Sequence, residues 1–123
     1  MPKKVLVVGN CASDHAAMRR ALRKRFDVEV VQGFAADDTL ELLREEPFAL
    51  VLVNRRLYGD GSDGIELIRR IKADPQLVAV PVMLLSNFPE YQQEAVAAGA
   101  LAGFGKADFE SPQIHHKLSS VLG

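Results

Sequence analysis

Short aliphatic runs alternate along the chain with segments whose apolar positions recur every three or four residues. The runs are Val5 to Val8, Val28 to Val31, Phe48 to Val53, Val80 to Leu85 and Leu101 to Phe104, and none shows strict polar alternation. A strand with both faces covered needs continuous apolar character of this kind, as in a parallel sheet flanked by helices. The intervening segments read as those helices. Ser13 or Asp14 is placed to cap a first one with Met18, Ala21 and Leu22 on one stripe, and Asp37 or Asp38 a second with Leu40 and Leu43. Asp63 followed by Glu66 is a capping-box pattern ahead of Ile65, Ile68 and Ile71, and Asp74-Pro75 ends that helix. Pro89 and Gly99 bound a short fourth helix, about Pro89 to Ala98. Ser111-Pro112 opens a fifth, in which Ile114, Leu118, Val121 and Leu122 recur at helical spacing. Five strand–helix units in a row predict an α/β fold, organised as a single domain over residues 1–123.

Composition narrows the function classes. Lys and Arg total 15 against 16 Asp and Glu, so a net charge of -1 gives no general attraction to nucleic acid or to an anionic membrane. The cations Arg19, Arg20, Arg23, Lys24 and Arg25 cluster on the first helix and read as its solvated face. The longest apolar runs are too short to cross a bilayer and the amino terminus has no signal-peptide core, which makes the cytoplasm the expected location. Cys11 is the single cysteine, without a partner for an internal disulfide, and reads as a small inert side chain. His115 and His116 are adjacent, so on a helix they point about a third of a turn apart and are badly placed to share a metal. The stretch Gly9-Asn10-Cys11-Ala12-Ser13 lacks the glycine and lysine spacing of a nucleotide loop. No cofactor and no catalytic constellation follow from these residues, and an output domain is not expected beyond the fifth helix.

Ordered pieces of sequence are more specific. They are Val5-Leu6-Val7-Val8, then Val51-Leu52-Val53-Asn54, Asp63-Gly64-Ile65-Glu66-Leu67, Pro81-Val82-Met83-Leu84-Leu85-Ser86, and Ala98-Gly99-Ala100 ahead of Lys106. Together they resemble a response-regulator receiver domain of the CheY-like family, over essentially the whole chain. The resemblance implies a flavodoxin-like three-layer (βα)5 sandwich with a five-stranded parallel sheet of order 2-1-3-4-5. It also implies a place in bacterial two-component signalling or a phosphorelay.

The family's phosphate site uses two acidic residues after the first strand, an acceptor aspartate after the third, a hydroxyl after the fourth and a lysine after the fifth. Carried over, these positions fall on Gly9 and Asn10, Asn54, Ser86 and Lys106. A neutral amide at Asn54 cannot attack phosphorus, and one glycine with two asparagines offers magnesium no anionic oxygen. The switch aromatic of the family falls on Gly103, so the usual relay is expected to be broken. With Lys106 left facing uncharged groups, the Asn54 amide oxygen, the Ser86 hydroxyl or water is its expected partner.

The expected function is therefore that of a non-phosphorylatable pseudo-receiver, not an enzyme, which docks a signalling protein or a second copy of itself. By resemblance the docking face comprises the fourth helix, fifth strand and fifth helix, around Tyr91, Gln92, Phe104, Phe109 and Ile114. One alternative is a phosphorelay receiver that accepts phosphate through a rearranged site on Asp60, Asp63 or Ser86. Against it, Asp63 reads as a helix cap and Asp60 as a turn residue between Gly59 and Gly61. A second alternative is small-ligand binding in the hollow between Gly9, Asn54 and Ser86.

Overall fold

The computed structural model describes residues 2–123. Its elements run β1 (Lys3–Val8), α1 (Ala12–Arg25), β2 (Val28–Gly33), α2 (Ala36–Glu45), β3 (Leu50–Asn54), α3 (Gly64–Ala73), β4 (Val82–Leu85), α4 (Pro89–Ala97), β5 (Leu101–Phe104) and α5 (Pro112–Leu122), with a 3-10 turn at Lys106–Asp108. All strand pairs are parallel and the sheet order is β2-β1-β3-β4-β5, as the resemblance implied.

Alternate residues along the strands point to opposite faces, and each face has its own apolar cluster. On one side Leu6, Val8, Val51, Val53, Val82 and Leu84 pack with Leu40 and Leu43 of α2, Ile65, Ile68 and Ile71 of α3, and Ala95 of α4. On the other, Val5, Val7, Leu50, Leu52, Met83 and Leu85 pack with Met18 and Leu22 of α1 and Ile114, Leu118 and Leu122 of α5. Each fully buried aliphatic side chain stabilises the fold by roughly 1.5–3 kcal/mol, so the three inner strands β1, β3 and β4 anchor both clusters.

The caps differ in part from expectation. Asp63 caps α3 by accepting from the backbone N–H of Ile65 at 2.8 Å, and Ser111 caps α5 by accepting from that of Ile114 at 3.2 Å. Neither Ser13 nor Asp14 caps α1, because the helix already begins at Ala12 behind Cys11. Ala35 rather than Asp37 or Asp38 precedes α2, and Asp38 reaches back from inside the first turn to the N–H groups of Phe34 and Ala35 at 2.9 and 2.7 Å. Polar residues near a predicted start thus marked the helix but not the capping position.

Among the described residues, no helix is long and apolar enough to cross a membrane.

Candidate functional site

Parallel strands deliver their carboxyl ends to one rim, which here gathers Gly9 and Asn10 after β1, Asn54 at the end of β3, Ser86 after β4 and Lys106 after β5. The hollow is lined by Gly9, Cys11, Asp14, Asn54, Arg56, Leu57, Tyr58, Gly61 and Lys106.

The loop between β3 and α3 folds back over this hollow. Leu57 donates its N–H to Ser62 O at 2.8 Å, Gly61 donates to Leu57 O at 2.7 Å, and Tyr58 donates to Gly9 O at 2.9 Å. Leu57 is fully buried and joins the apolar cluster on the α2–α3–α4 side. Gly9 has φ +85°, and a Cβ there would lie 2.5 Å from Leu57 Cδ2 and 2.9 Å from Leu57 Cα. Glycine therefore meets two demands at once, a left-handed backbone and close passage of the loop. The Asn54 amide turns its Nδ2 to Arg56 O at 2.7 Å and more distantly to Gly9 O at 3.4 Å, pinning the start of the same loop.

Lys106 corrects the sequence expectation. Its ammonium donates to Asp14 Oδ2 at 2.9 Å and to Asn10 Oδ1 at 3.1 Å, and its hydrogen bonds do not include Asn54 or Ser86. Lys106 holds the Asp14 carboxyl below the usual carboxylate range, first through the hydrogen bond and then through its charge. Asp14 is thus the one carboxylate lining the hollow, and an ammonium already occupies it. Asn10, by contrast, is 4% exposed and supplies only a neutral amide.

These donors do not fit a magnesium ion, which is held in an octahedron through at least one or two free carboxylates, whereas the carboxylate lining this hollow is paired with Lys106. Among the described residues, no group of three or more His, Cys, Asp or Glu side chains is placed to hold any metal.

The other candidate acceptors have local duties. Ser86 Oγ accepts from Phe88 N at 3.1 Å, bracing the entry to α4. Asp60 Oδ1 accepts from both the N–H and the hydroxyl of Ser62, at 2.9 and 2.6 Å, as a turn residue does. Asp63 pairs with Arg55 at 3.2 Å besides capping α3. Arg55 in turn lies 4.3 Å over the ring of Tyr91, tying the loop to α4. His116 is exposed, while His115 stacks on Phe26 with centroids 5.1 Å apart.

Gly103 lies where the resemblance places a switch aromatic, yet a Cβ there would fall 2.1 Å from Leu84 O. The proposed docking face also needs correction. Phe104, Phe109 and Ile114 are 5%, 6% and 9% exposed and belong to the core beneath β4 and β5, so they offer nothing to a partner. Tyr91 and Gln92 are half-buried, and the exposed apolar side chains near them are Phe88, Val96 and Leu101. Sequence reasoning missed Asp14 as the partner of Lys106, Leu57 as the residue that closes over Gly9, and Gln92 as a structural amide. Each of these contacts joins separate elements, so no local signal in the sequence marks it.

Comparison with known proteins gives a consistent set of similarities. No family model matches the chain. It is 32% identical over 126 residues to sporulation initiation phosphotransferase F of Bacillus subtilis (strain 168), covering 99% of this chain and 95% of that one. It is 27% identical over 125 residues to chemotaxis protein CheY-3 of Vibrio cholerae, covering 97% and 91%. The fold superposes on the signal receiver domain of a DNA-binding response regulator protein from Colwellia psychrerythraea 34H with a TM-score of 0.81, at 19% identity and 96% coverage of both chains.

Proposed function

The chain belongs to the response-regulator receiver family, and we propose that within it this protein is a pseudo-receiver, which signals by docking another protein without accepting phosphate. The observation that carries the reading is the clasp of Lys106 on Asp14 and Asn10, beside an amide at Asn54. Phosphoryl transfer depends on an anionic nucleophile and on neutralising the charge of the transferred group. An amide is a poor nucleophile, and the lysine that would meet the phosphoryl oxygens is already committed to a carboxylate.

Docking then falls to the surface. The apolar side chains open to a cytoplasmic partner around α4 and β5 are Phe88, Val96 and Leu101, which are 57%, 46% and 45% exposed. Single exposed apolar residues are ordinary, but three on neighbouring elements form a candidate patch.

The test is incubation with magnesium and acetyl phosphate or beryllofluoride, followed by intact mass and backbone amide shifts. No phosphoryl adduct and no saturable shift are expected. Saturable shifts around Asn54 and Lys106 overturn the reading.

A second reading reroutes phosphoryl acceptance to another carboxylate. It is favoured by one observation: Asp14 stands beside Lys106 and is half exposed, with 49% of its side chain open to solvent. A phosphoryl adduct mapped to Asp14, or to Asp60, Asp63 or Ser86, decides for this alternative.

A further inference from the structure

Helix α4 has an unusual hold on the sheet. Its only fully buried side chain is Ala95, with Tyr91 and Ala98 partly buried, so apolar packing alone fixes it weakly. The strands beneath it are also irregular. Met83 pairs with Leu101 and Leu85 with Phe104, so two steps on β4 oppose three on β5 and one residue of β5 is left out of the ladder.

The Gln92 amide fills this gap from above. Its Oε1 accepts the N–H of Gly103 at 2.8 Å, while its Nε2 donates to Leu84 O at 2.9 Å and to Ser86 O at 3.0 Å. One side chain therefore satisfies three backbone groups on both strands and on the loop that leads into its own helix. The assignment of oxygen and nitrogen is unambiguous, since two acceptors face one end and a donor faces the other. Gly103 permits the arrangement, because any side chain there would collide with Leu84 O.

We propose that Gln92 is a positioning residue, a permanent polar clip that fixes α4 on the β4–β5 bulge and so sets the shape of the surface carrying Phe88, Val96 and Leu101. A helix without such a clip slides or tilts on an alanine contact, whereas three directional hydrogen bonds hold one orientation. The surface is then presented in one form whatever happens at the rim. This consequence rests on the docking reading, but the clip itself does not.

The experiment compares the wild-type chain with Gln92→Met and Gln92→Glu, by amide-resolved hydrogen exchange and NMR relaxation dispersion, with no magnesium or phosphoryl donor present. Gln92→Met keeps the length and loses every polar contact. It is expected to speed exchange of the Gly103 amide at least about tenfold relative to wild type and to produce microsecond–millisecond broadening confined to residues 86–104. Gln92→Glu separates the clip from mere packing. Its protonated carboxyl still accepts from Gly103 and donates to one carbonyl, but its ionised form faces the Leu84 and Ser86 carbonyls with repulsion. Corrected for the intrinsic pH dependence of exchange, Gly103 protection is expected to follow wild type below the glutamate titration and to be lost above it.

Gly103 exchange within twofold of wild type in Gln92→Met overturns the inference, as does pH-independent protection in Gln92→Glu. If Gln92→Met does not fold, the titration of Gln92→Glu alone decides. Either failure leaves the pseudo-receiver reading standing, because that is tested separately by beryllofluoride and mass.

Discussion

The Lys106 ammonium sits 2.9 Å from Asp14 Oδ2, joining the end of β5 to the first turn of α1 across the rim. Both partners line the same hollow as Leu57.

The pair contributes modestly to stability and does so in a defined pH range. Asp14 has its carboxyl pKa lowered from the ordinary 3.8. A depressed folded pKa means that the stabilisation is fully present above the unfolded value and is lost as pH falls through the folded one. Asp14→Asn is expected to lower stability at pH 7 by about 0.5 kcal/mol, since both side chains are well solvated, and by progressively less in acid. Urea unfolding midpoints of the two proteins, measured from pH 7 down past pH 4, check this; a constant difference at all pH values contradicts it.

Restoring the acceptor alone is expected to restore little. Asn54→Asp supplies an anion at the end of β3, but Gly9 offers no side chain and Asn10 only a neutral amide, with Lys106 turned to Asp14. Magnesium affinity of this variant, followed by amide shifts, is expected to stay weak and its acetyl phosphate adduct to remain a minor species by mass. Stoichiometric phosphorylation of Asn54→Asp is the result that refutes the account of the pocket.

Gly103→Ala tests the tight passage of β5 over β4. A methyl group 2.1 Å from Leu84 O forces the strands apart and displaces the Gln92 amide. The expected loss is about 3 kcal/mol or more, at the upper end of overpacking costs, read from the thermal or urea midpoint. A loss below 1 kcal/mol, about what a solvent-facing change gives, shows that the strands yield easily.

His15 should impose a different pH dependence. Burial first and Arg19 second lower its pKa from 6.5, and its buried Nδ1 has no hydrogen-bond partner. The unfolded chain then binds a proton that the folded one refuses, so stability is lost as pH falls from above 6.5 towards the folded pKa. In His15→Gln this part of the decline is expected to disappear from the curve of melting temperature against pH.

Much of the architecture was legible because its signals are local. The run Val51-Leu52-Val53 reads as a doubly buried strand without knowledge of its neighbours, and Asp63 at the head of Ile65, Ile68 and Ile71 marks a helix start by itself. The rim was less legible because its contacts are distant in sequence. Lys106 and Asp14 lie 92 positions apart, and the choice of Asp14 over Asn54 depends on how α1 leaves β1. Phe104, Phe109 and Ile114 went to the wrong side of the surface for a similar reason. The resemblance located their elements, but only three-dimensional packing could show that these side chains turn inward to meet Met83, Leu85 and Leu118.

The position of Leu57 has an implication for any attempt to charge the hollow. Its side chain, fully buried, forms an apolar wall of low dielectric constant against Gly9. An acid engineered next to that wall loses hydration when it ionises, and its proton is correspondingly harder to remove. The leucine thus acts as a hydrocarbon stopper, resisting both the volume of a carboxylate and its negative charge.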